Sequence, residues 1–196
     1  MNTSLLAPVV LFVYARAEHT QRTLAALSLN PEAKDTDLII YADAARHHKD
    51  AAAVQAVREL INNIIGFKSV TLHLRETNVG LAENIIDGVT NVINKYGRVI
   101  VLEDDIITSP CFLKFMNDSL DLYKNFDKVI SVSGCNYPVD LLEIPEETYF
   151  LRIPLCWGWA TWSDRWSLFN KCAEEVPLID NELVNYINFN GAGDYF

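Results

Sequence analysis

Three adjacent carboxylates, Glu103, Asp104 and Asp105, come directly after the apolar run at 99–102. Carboxylates that leave a buried strand together repel one another and lose solvation, and a divalent cation relieves both costs. Oxygen ligands of this kind suit Mg²⁺ or Mn²⁺, which complete their shells with water and substrate phosphates. In an extended stretch Glu103 and Asp105 share one face, so we expect at most two of the three to converge on one ion. The competing interpretation is a solvated acidic turn that caps the following helix.

Two further polar positions follow apolar runs. Arg16 comes after the run at 9–14 and Asp43 comes after the run at 37–42. An arginine at such a position can reach a nucleotide phosphate or base, although a surface arginine is the simpler interpretation. The chain has no Gly-x-Gly-x-x-Gly segment and no Gly-Lys-Ser/Thr loop. These absences disfavour a dinucleotide-binding fold and a phosphate-loop ATPase.

All four tryptophans, Trp157, Trp159, Trp162 and Trp166, fall within ten residues. Tryptophan rings fill cores and also stack on sugar rings, and for any single one of them the core is favoured. As a group beside a glycine they suggest the wall of a ligand site, and Trp159 is the residue we assign to binding. Asp164 could act as a general base, but an exposed carboxylate in the first turn of a helix is favoured.

The elements that position these residues alternate between strand and helix patterns. In parallel sheets ligands sit beyond the carboxyl ends of the strands, where Arg16, Asp43 and the acidic run would lie. The order predicts an α/β fold of Rossmann type, with a mostly parallel sheet and helices on both faces. Strands are predicted at 9–14, 37–42, 70–74, 99–102, 129–132 and 148–153, and helices at 19–29, 54–64, 81–92 and 163–168. A further helix is predicted to start at Pro110, with Ser109 as its cap.

Composition narrows the function classes. The chain has 196 residues, half of them hydrophobic, so one packed domain is expected. Its formal net charge of −10 argues against nucleic acid and anionic membranes as partners. The four cysteines lack zinc spacing and are interpreted as buried thiols in a reducing, cytoplasmic compartment. No transmembrane segment is predicted, because the N-terminal apolar run is too short and a strand explains it better.

Several motifs together resemble a known family. They are the segment at 12–24 that contains Arg16, the turn at 78–81, the segment at 101–112 around the carboxylates, and the tryptophan-rich segment at 157–166. This set resembles bacterial family-two-like glycosyltransferases of the GT-A fold. The Glu-Asp-Asp run is also similar to that of N-acetylglucosaminyltransferase I-type enzymes. The resemblance implies a single GT-A-like domain over 1–196, with a nucleotide-binding half at about 1–134 and an incomplete acceptor-binding half at about 135–196.

The resemblance also implies a reaction and roles. A sugar would move from a nucleotide-diphosphate donor, expected to be a UDP-sugar, to a hydroxyl of a glycan or lipid-linked acceptor, as in cell-envelope polysaccharide biosynthesis. Arg16 would contact the nucleotide and Asp43 its base. Glu103 and Asp104 would contact the sugar and ribose, and Asp105 would ligate Mn²⁺ or Mg²⁺.

One departure from the family concerns the end of the chain. The family normally continues beyond the position of Phe196 with a segment that carries the catalytic base, so we expect a truncated chain, and neither Asp164 nor Asp194 is assigned as the base. Weak or absent transfer is therefore expected beside donor binding. Three alternatives stay open: a non-catalytic sugar-nucleotide-binding fragment, a nucleotidyltransferase, which would normally carry a basic Gly-rich loop after the first strand, and an α/β domain with no small-molecule role.

Overall fold

The computed structural model describes residues 5–135, 148–171 and 181–188. Within these ranges it contains a six-stranded sheet and six α-helices. The strands are β1 Val9–Val13, β2 Asp37–Ala42, β3 Ser69–Leu74, β4 Arg98–Glu103, β5 Val132–Ser133 and β6 Trp159–Trp162. The helices are α1 Ala17–Ser28, α2 Ala51–Ile61, α3 Leu81–Tyr96, α4 Phe112–Tyr123, α5 Ser163–Trp166 and α6 Asn181–Ile187.

The sheet has the strand order β3-β2-β1-β4-β6-β5. Strands β1 to β4 run parallel to one another, and β6 runs antiparallel to both β4 and β5. The predicted α/β, Rossmann-like fold with a mostly parallel sheet is confirmed. The chain builds β2 and β3 on one side of β1 and then returns to place β4 on the other. In open α/β sheets the ligand crevice lies at such a reversal, which in this chain is at the carboxyl ends of β1 and β4.

Helices cover both faces of the sheet, as predicted. On one face Leu11 and Ile40 pack against α1, α2 and α4, and on the other Phe12 and Tyr41 pack against α3. Because β1 and β2 are buried on both faces, their sequences are continuous apolar runs with no alternation. Helix α3 lies close to the sheet at Gly88, where a Cβ would come within 2.7 Å of the Phe12 ring.

Some predicted elements are wrong or shifted. Helix α4 begins at Phe112, and Ser109 contributes its backbone carbonyl to the Phe112 N–H (3.1 Å), with no side-chain cap. The predicted strand at 129–132 is reduced to β5, and 148–153 has no regular structure. Strand β6 is not among the predicted strands, because tryptophans beside a glycine fit the wall of a ligand site equally well. The predicted helix at 163–168 forms as the shorter α5.

The cysteines also differ from expectation. Cys111 and Cys156 are exposed and Cys135 is partly buried, so the prediction of buried thiols is wrong for the first two. Cys172 and Asp194 lie outside the described residues. In the described part of the chain, no helix has the length and apolarity that crossing a bilayer requires.

Candidate functional site

The three carboxylates lie where a strand becomes a turn. Glu103 is the last residue of β4, and the Ile106 N–H donates to its carbonyl (3.3 Å), which closes a turn through Asp104 and Asp105. The expectation that at most two of the three carboxylates converge on one ion stays a prediction. Because the backbone turns at Glu103, Asp104 and Asp105 are the pair whose side chains reach a common partner, Arg16.

Arg16 ties the end of β1 to the end of β4. One of its guanidinium nitrogens pairs with Asp104 and the other donates to Asp105 at 3.0 Å. The contact forms because β1 and β4 are hydrogen-bonded neighbours, so the residues after them meet at the same edge. The sequence placed these residues at strand ends, and the structure brings them together.

The two aspartates differ in exposure. The Asp104 side chain is 3% exposed, and its second oxygen accepts the Tyr14 N–H (3.3 Å). Its backbone carbonyl accepts from the Thr23 hydroxyl (2.9 Å), which fixes the turn to α1. Asp105 and Arg16 are 46% and 47% exposed. Asp104 is thus a buried anchor for the guanidinium, whereas the Arg16–Asp105 contact lies open to solvent and to ligands.

The site has more negative than positive charge. Burial raises the pKa of Glu103, and the charges of Asp105 and Asp104 raise it further. Burial also raises the pKa of Asp104, although the hydrogen bond and charge of Arg16 and the Tyr14 N–H lower it. One guanidinium faces three carboxylates, so an additional cation is electrostatically favoured here.

Asp43 lies at the end of β2 and is 5% exposed. Its carboxylate accepts hydrogen bonds from Asn78 Nδ2 (2.9 Å) and from the backbone N–H groups of Val79 (3.0 Å), Gly80 (3.0 Å) and Ala44 (2.9 Å). The carboxylate thus holds the segment that precedes α3. Whether it also contacts a base stays a prediction.

Sequence reasoning missed Tyr14, Thr23 and Asn78. The Tyr14 hydroxyl accepts from the Arg46 N–H (2.9 Å) and donates to Asp50 (3.2 Å), so it joins the loops after β1 and β2. Tyr14 could have been found, because it ends the first apolar run. Asn78 was noted only as part of a turn, and Thr23 carried no signal beyond its place in a helix.

Trp159 lies on β6 opposite Val101 of β4 and is partly buried. Its ring packs near the Trp166 ring with centroids 5.9 Å apart, on the α3 face of the sheet. This environment is that of a core residue at the border of the site. Because β6 is antiparallel to β4, Trp157 lies further toward the carboxyl end of β4, and it is 48% exposed.

A separate cleft of about 320 Å³ lies between α3 and α5. The Trp166 indole N–H donates to the Thr90 hydroxyl across it (2.9 Å), and the Trp166 ring stacks on Phe169. Its lining includes neither Arg16 nor any of the three carboxylates. These contacts are those of two packed helices, so the cleft adds nothing to the candidate site.

Most of the oxygen atoms around a bound metal ion would have to come from a bound nucleotide and from water. Among residues 5–135, 148–171 and 181–188, no group of three or more His, Cys, Asp or Glu side chains is arranged to hold an ion. Mg²⁺ and Mn²⁺ bound with nucleotides need fewer protein ligands, since one or two carboxylates combine with phosphate oxygens and water. The half-exposed Asp105 fits this mode of binding, provided that it exchanges Arg16 for the ion.

No family model matches the chain, and no curated protein matches it. Among solved structures it is similar to S. aureus TarS (15% identity, TM-score 0.44, 60% of this chain and 20% of that one) and to TarS 1–349 (15%, 0.42, 69% and 40%). It is also similar to the mannosyltransferase PcManGT from Pyrobaculum calidifontis in complex with GDP-Man and Mn²⁺ (15%, 0.42, 57% and 31%). The chain thus spans between a fifth and two-fifths of these proteins' lengths.

Proposed function

We propose that this chain is a glycosyltransferase that moves a sugar from a nucleotide-diphosphate sugar to an acceptor hydroxyl with the help of a divalent cation. The observation that carries the proposal is the placement of Arg16 between Asp104 and Asp105 at the carboxyl ends of β1 and β4. A basic group and an excess of carboxylates at this edge suit a ligand that carries phosphates and a metal ion.

Each charged group has a separate role in this proposal. Arg16 binds the diphosphate, because a guanidinium matches phosphate oxygens in a bidentate geometry. Asp105 ligates Mn²⁺ or Mg²⁺, and Glu103 contacts the sugar or ribose. When bound, the cation neutralises the charge that develops on the leaving diphosphate. Asp104, which the resemblance expects to contact sugar and ribose, would also orient Arg16, because its buried carboxylate pairs with the guanidinium.

Metal binding requires Asp105 to change partners. The exposed Arg16–Asp105 contact is screened by solvent and costs little to break, because exposed ion pairs contribute only about 0–1 kcal/mol. The contact with buried Asp104 keeps the guanidinium beside the crevice during this exchange. Arg16 would therefore stay in place to bind a diphosphate, while Asp105 would hold the ion.

The acceptor would enter from the β6 side of the crevice. Trp157 and Trp159 lie on that side, and aromatic rings stack on sugars. In this proposal Trp159 lies at the border between donor and acceptor, where a glycan or lipid-linked hydroxyl would approach. We propose that the donor is a UDP-sugar and that the product is a cell-envelope polysaccharide.

Calorimetric titration of the chain with UDP and GDP, each with and without Mn²⁺, tests the proposal. We expect at least one nucleotide to bind, and to bind more tightly with Mn²⁺. Absence of binding under every condition would overturn the site assignment. A second assay follows product formation from a radiolabelled sugar nucleotide, and it separates a transferase from a donor-binding module that lacks transfer.

A further inference from the structure

The carboxylate of Asp43 has no acceptor capacity left for a ligand. A carboxylate offers about four lone-pair sites. Val79 N and Ala44 N donate to one oxygen, and Asn78 Nδ2 and Gly80 N donate to the other, at 2.9–3.0 Å. A base N–H could reach Asp43 only by displacing one of these donors, most of which would then be left without a partner in a site that is 95% buried.

The same contacts determine the path of the loop at 78–80. The Asn78 amide also donates to the Ala44 carbonyl (2.8 Å), so one side chain bridges two atoms at the end of β2. Gly80 has a φ of +81°, a left-handed conformation that only glycine adopts at low cost, and α3 starts at the next residue. The loop therefore leaves Val79 37% exposed at the carboxyl edge.

The position of this loop relative to Arg16 follows from the sheet. The Asp43 N–H donates to the Val13 carbonyl (3.2 Å), and Val13 precedes Arg16 by three residues. Strands β2, β1 and β4 lie side by side in that order. A nucleotide laid along their carboxyl ends, with its diphosphate at Arg16, would place its base over the loop at 78–80.

We propose that Asp43 is a positioning residue and that the loop at 78–80, through its backbone and Val79, is the surface that receives the base. This inference rests on the proposed nucleotide binding. It differs from the expected direct contact between Asp43 and the base, because the carboxylate acts through the loop. The two models assign Asn78 different importance. If Asp43 acts through the loop, Asn78 is needed to hold the loop in place. If Asp43 contacts the base directly, Asn78 has no role in binding.

The experiment compares UDP and GDP with inorganic pyrophosphate, which lacks a base, all titrated calorimetrically in the presence of Mn²⁺. The variants are Asp43→Asn, Asn78→Ala and their combination. The matched control is Asp37→Asn, at the opposite end of β2. Its carboxylate likewise accepts two hydrogen bonds, from the side chains of Lys68, just before β3, and of Ser69, the first residue of β3. Thermal unfolding of each variant verifies that it is folded.

We expect Asp43→Asn and Asn78→Ala each to weaken binding of the preferred nucleotide about tenfold, with pyrophosphate affinity unchanged. The double variant should bind the nucleotide with about the same affinity as the weaker-binding of the two single variants, because both changes release the same loop. The control should bind like the wild type. A purely structural role elsewhere would not separate nucleotide from pyrophosphate in this way.

Two results would overturn the inference alone. Asn78→Ala could bind nucleotide like the wild type while Asp43→Asn does not, which would indicate a direct contact with Asp43. Alternatively, both variants could bind nucleotide normally, which would mean that the loop does not receive the base. A wild-type chain that binds neither nucleotide nor pyrophosphate would instead overturn the proposed function itself, and this inference with it.

Discussion

The two halves of the carboxyl edge are held together in opposite ways. Between β1 and β4, Arg16 is shared by two carboxylates, and its contact with Asp105 is half exposed. Between β2 and β3, Asp43 is buried and its hydrogen bonds are complete within the chain. The first arrangement leaves charge that a ligand can use, whereas the second leaves none. The comparison separates groups that exchange partners from groups that hold the backbone.

Replacing Asp105 by asparagine should have the largest effect. The substitution keeps the size of the side chain but removes the exposed negative charge that we assign to the ion. We expect Mn²⁺-dependent nucleotide binding to fall by about 100-fold, while binding without metal changes little. Calorimetry with and without Mn²⁺ measures both. Asp118→Asn is the control, since Asp118 is also an exposed aspartate paired with a basic residue, Lys114. Equal losses in both variants would contradict the assignment.

Replacing Arg16 by glutamine should shift two affinities in opposite directions. Binding of Mn²⁺ alone should become several-fold tighter, because the ion no longer competes with a guanidinium for Asp105. Binding of the Mn²⁺–nucleotide pair should weaken on the order of tenfold or more, because a charged partner of the diphosphate is lost. Electron paramagnetic resonance of free Mn²⁺ measures the first and calorimetry the second.

Arg22→Gln is the matched control for that experiment, because Arg22 is an exposed arginine on α1, the helix that begins directly after Arg16. It should leave both affinities unchanged. If Arg16→Gln weakened metal binding as well, Arg16 would be a structural support of the site and the partner-exchange model would be wrong.

Replacing Gly88 by alanine tests the element that links the two halves. Helix α3 begins just after the loop held by Asp43, and its Gly88 lies against the Phe12 ring of β1. In an ordinary helix this substitution stabilises by about 1 kcal/mol, but here the new Cβ would be 2.7 Å from the ring. We expect destabilisation by about 1–2 kcal/mol, measured by urea unfolding. An increase in stability would show that α3 can move away from β1.

The strands of the site could be predicted because buried parallel strands are continuous apolar runs, as at 99–102. Strand β6 could not, since four residues rich in tryptophan fit a core, a strand and a ligand wall equally well. The positions of Arg16 and Asp105 after strands were likewise readable. Their contact was not, because it depends on β1 and β4 becoming neighbours across about ninety residues of chain.

The hydrogen bonds of the site could not be predicted from the sequence, for a different reason. The backbone turns at Glu103, and the side chains of Asp104 and Asp105 both contact Arg16, which strand alternation alone does not predict. Likewise, Asp43 was a candidate ligand because it follows a strand. Its four donors come from its own neighbour and from a loop some 35 residues away, whose path depends on the fold. A polar residue at a strand end can therefore bind a ligand or hold a loop, and only its partners decide.

The smallest expected effect concerns Asp37, at the other end of β2 from Asp43. Burial raises the pKa of Asp37, but hydrogen bonds from Lys68 and Ser69 outweigh it and hold the pKa below its ordinary value. A carboxyl whose pKa is lower in the folded state stabilises the fold above its unfolded-state pKa, near 4, and loses that contribution as the pH falls. Asp37→Asn should therefore lower the free energy of unfolding at pH 7 by less than about 1 kcal/mol, because Lys68 is exposed. Urea unfolding at pH 7 and pH 3 should show the difference from the wild type shrinking at the lower pH, and a difference that is equal at both would assign the effect to packing.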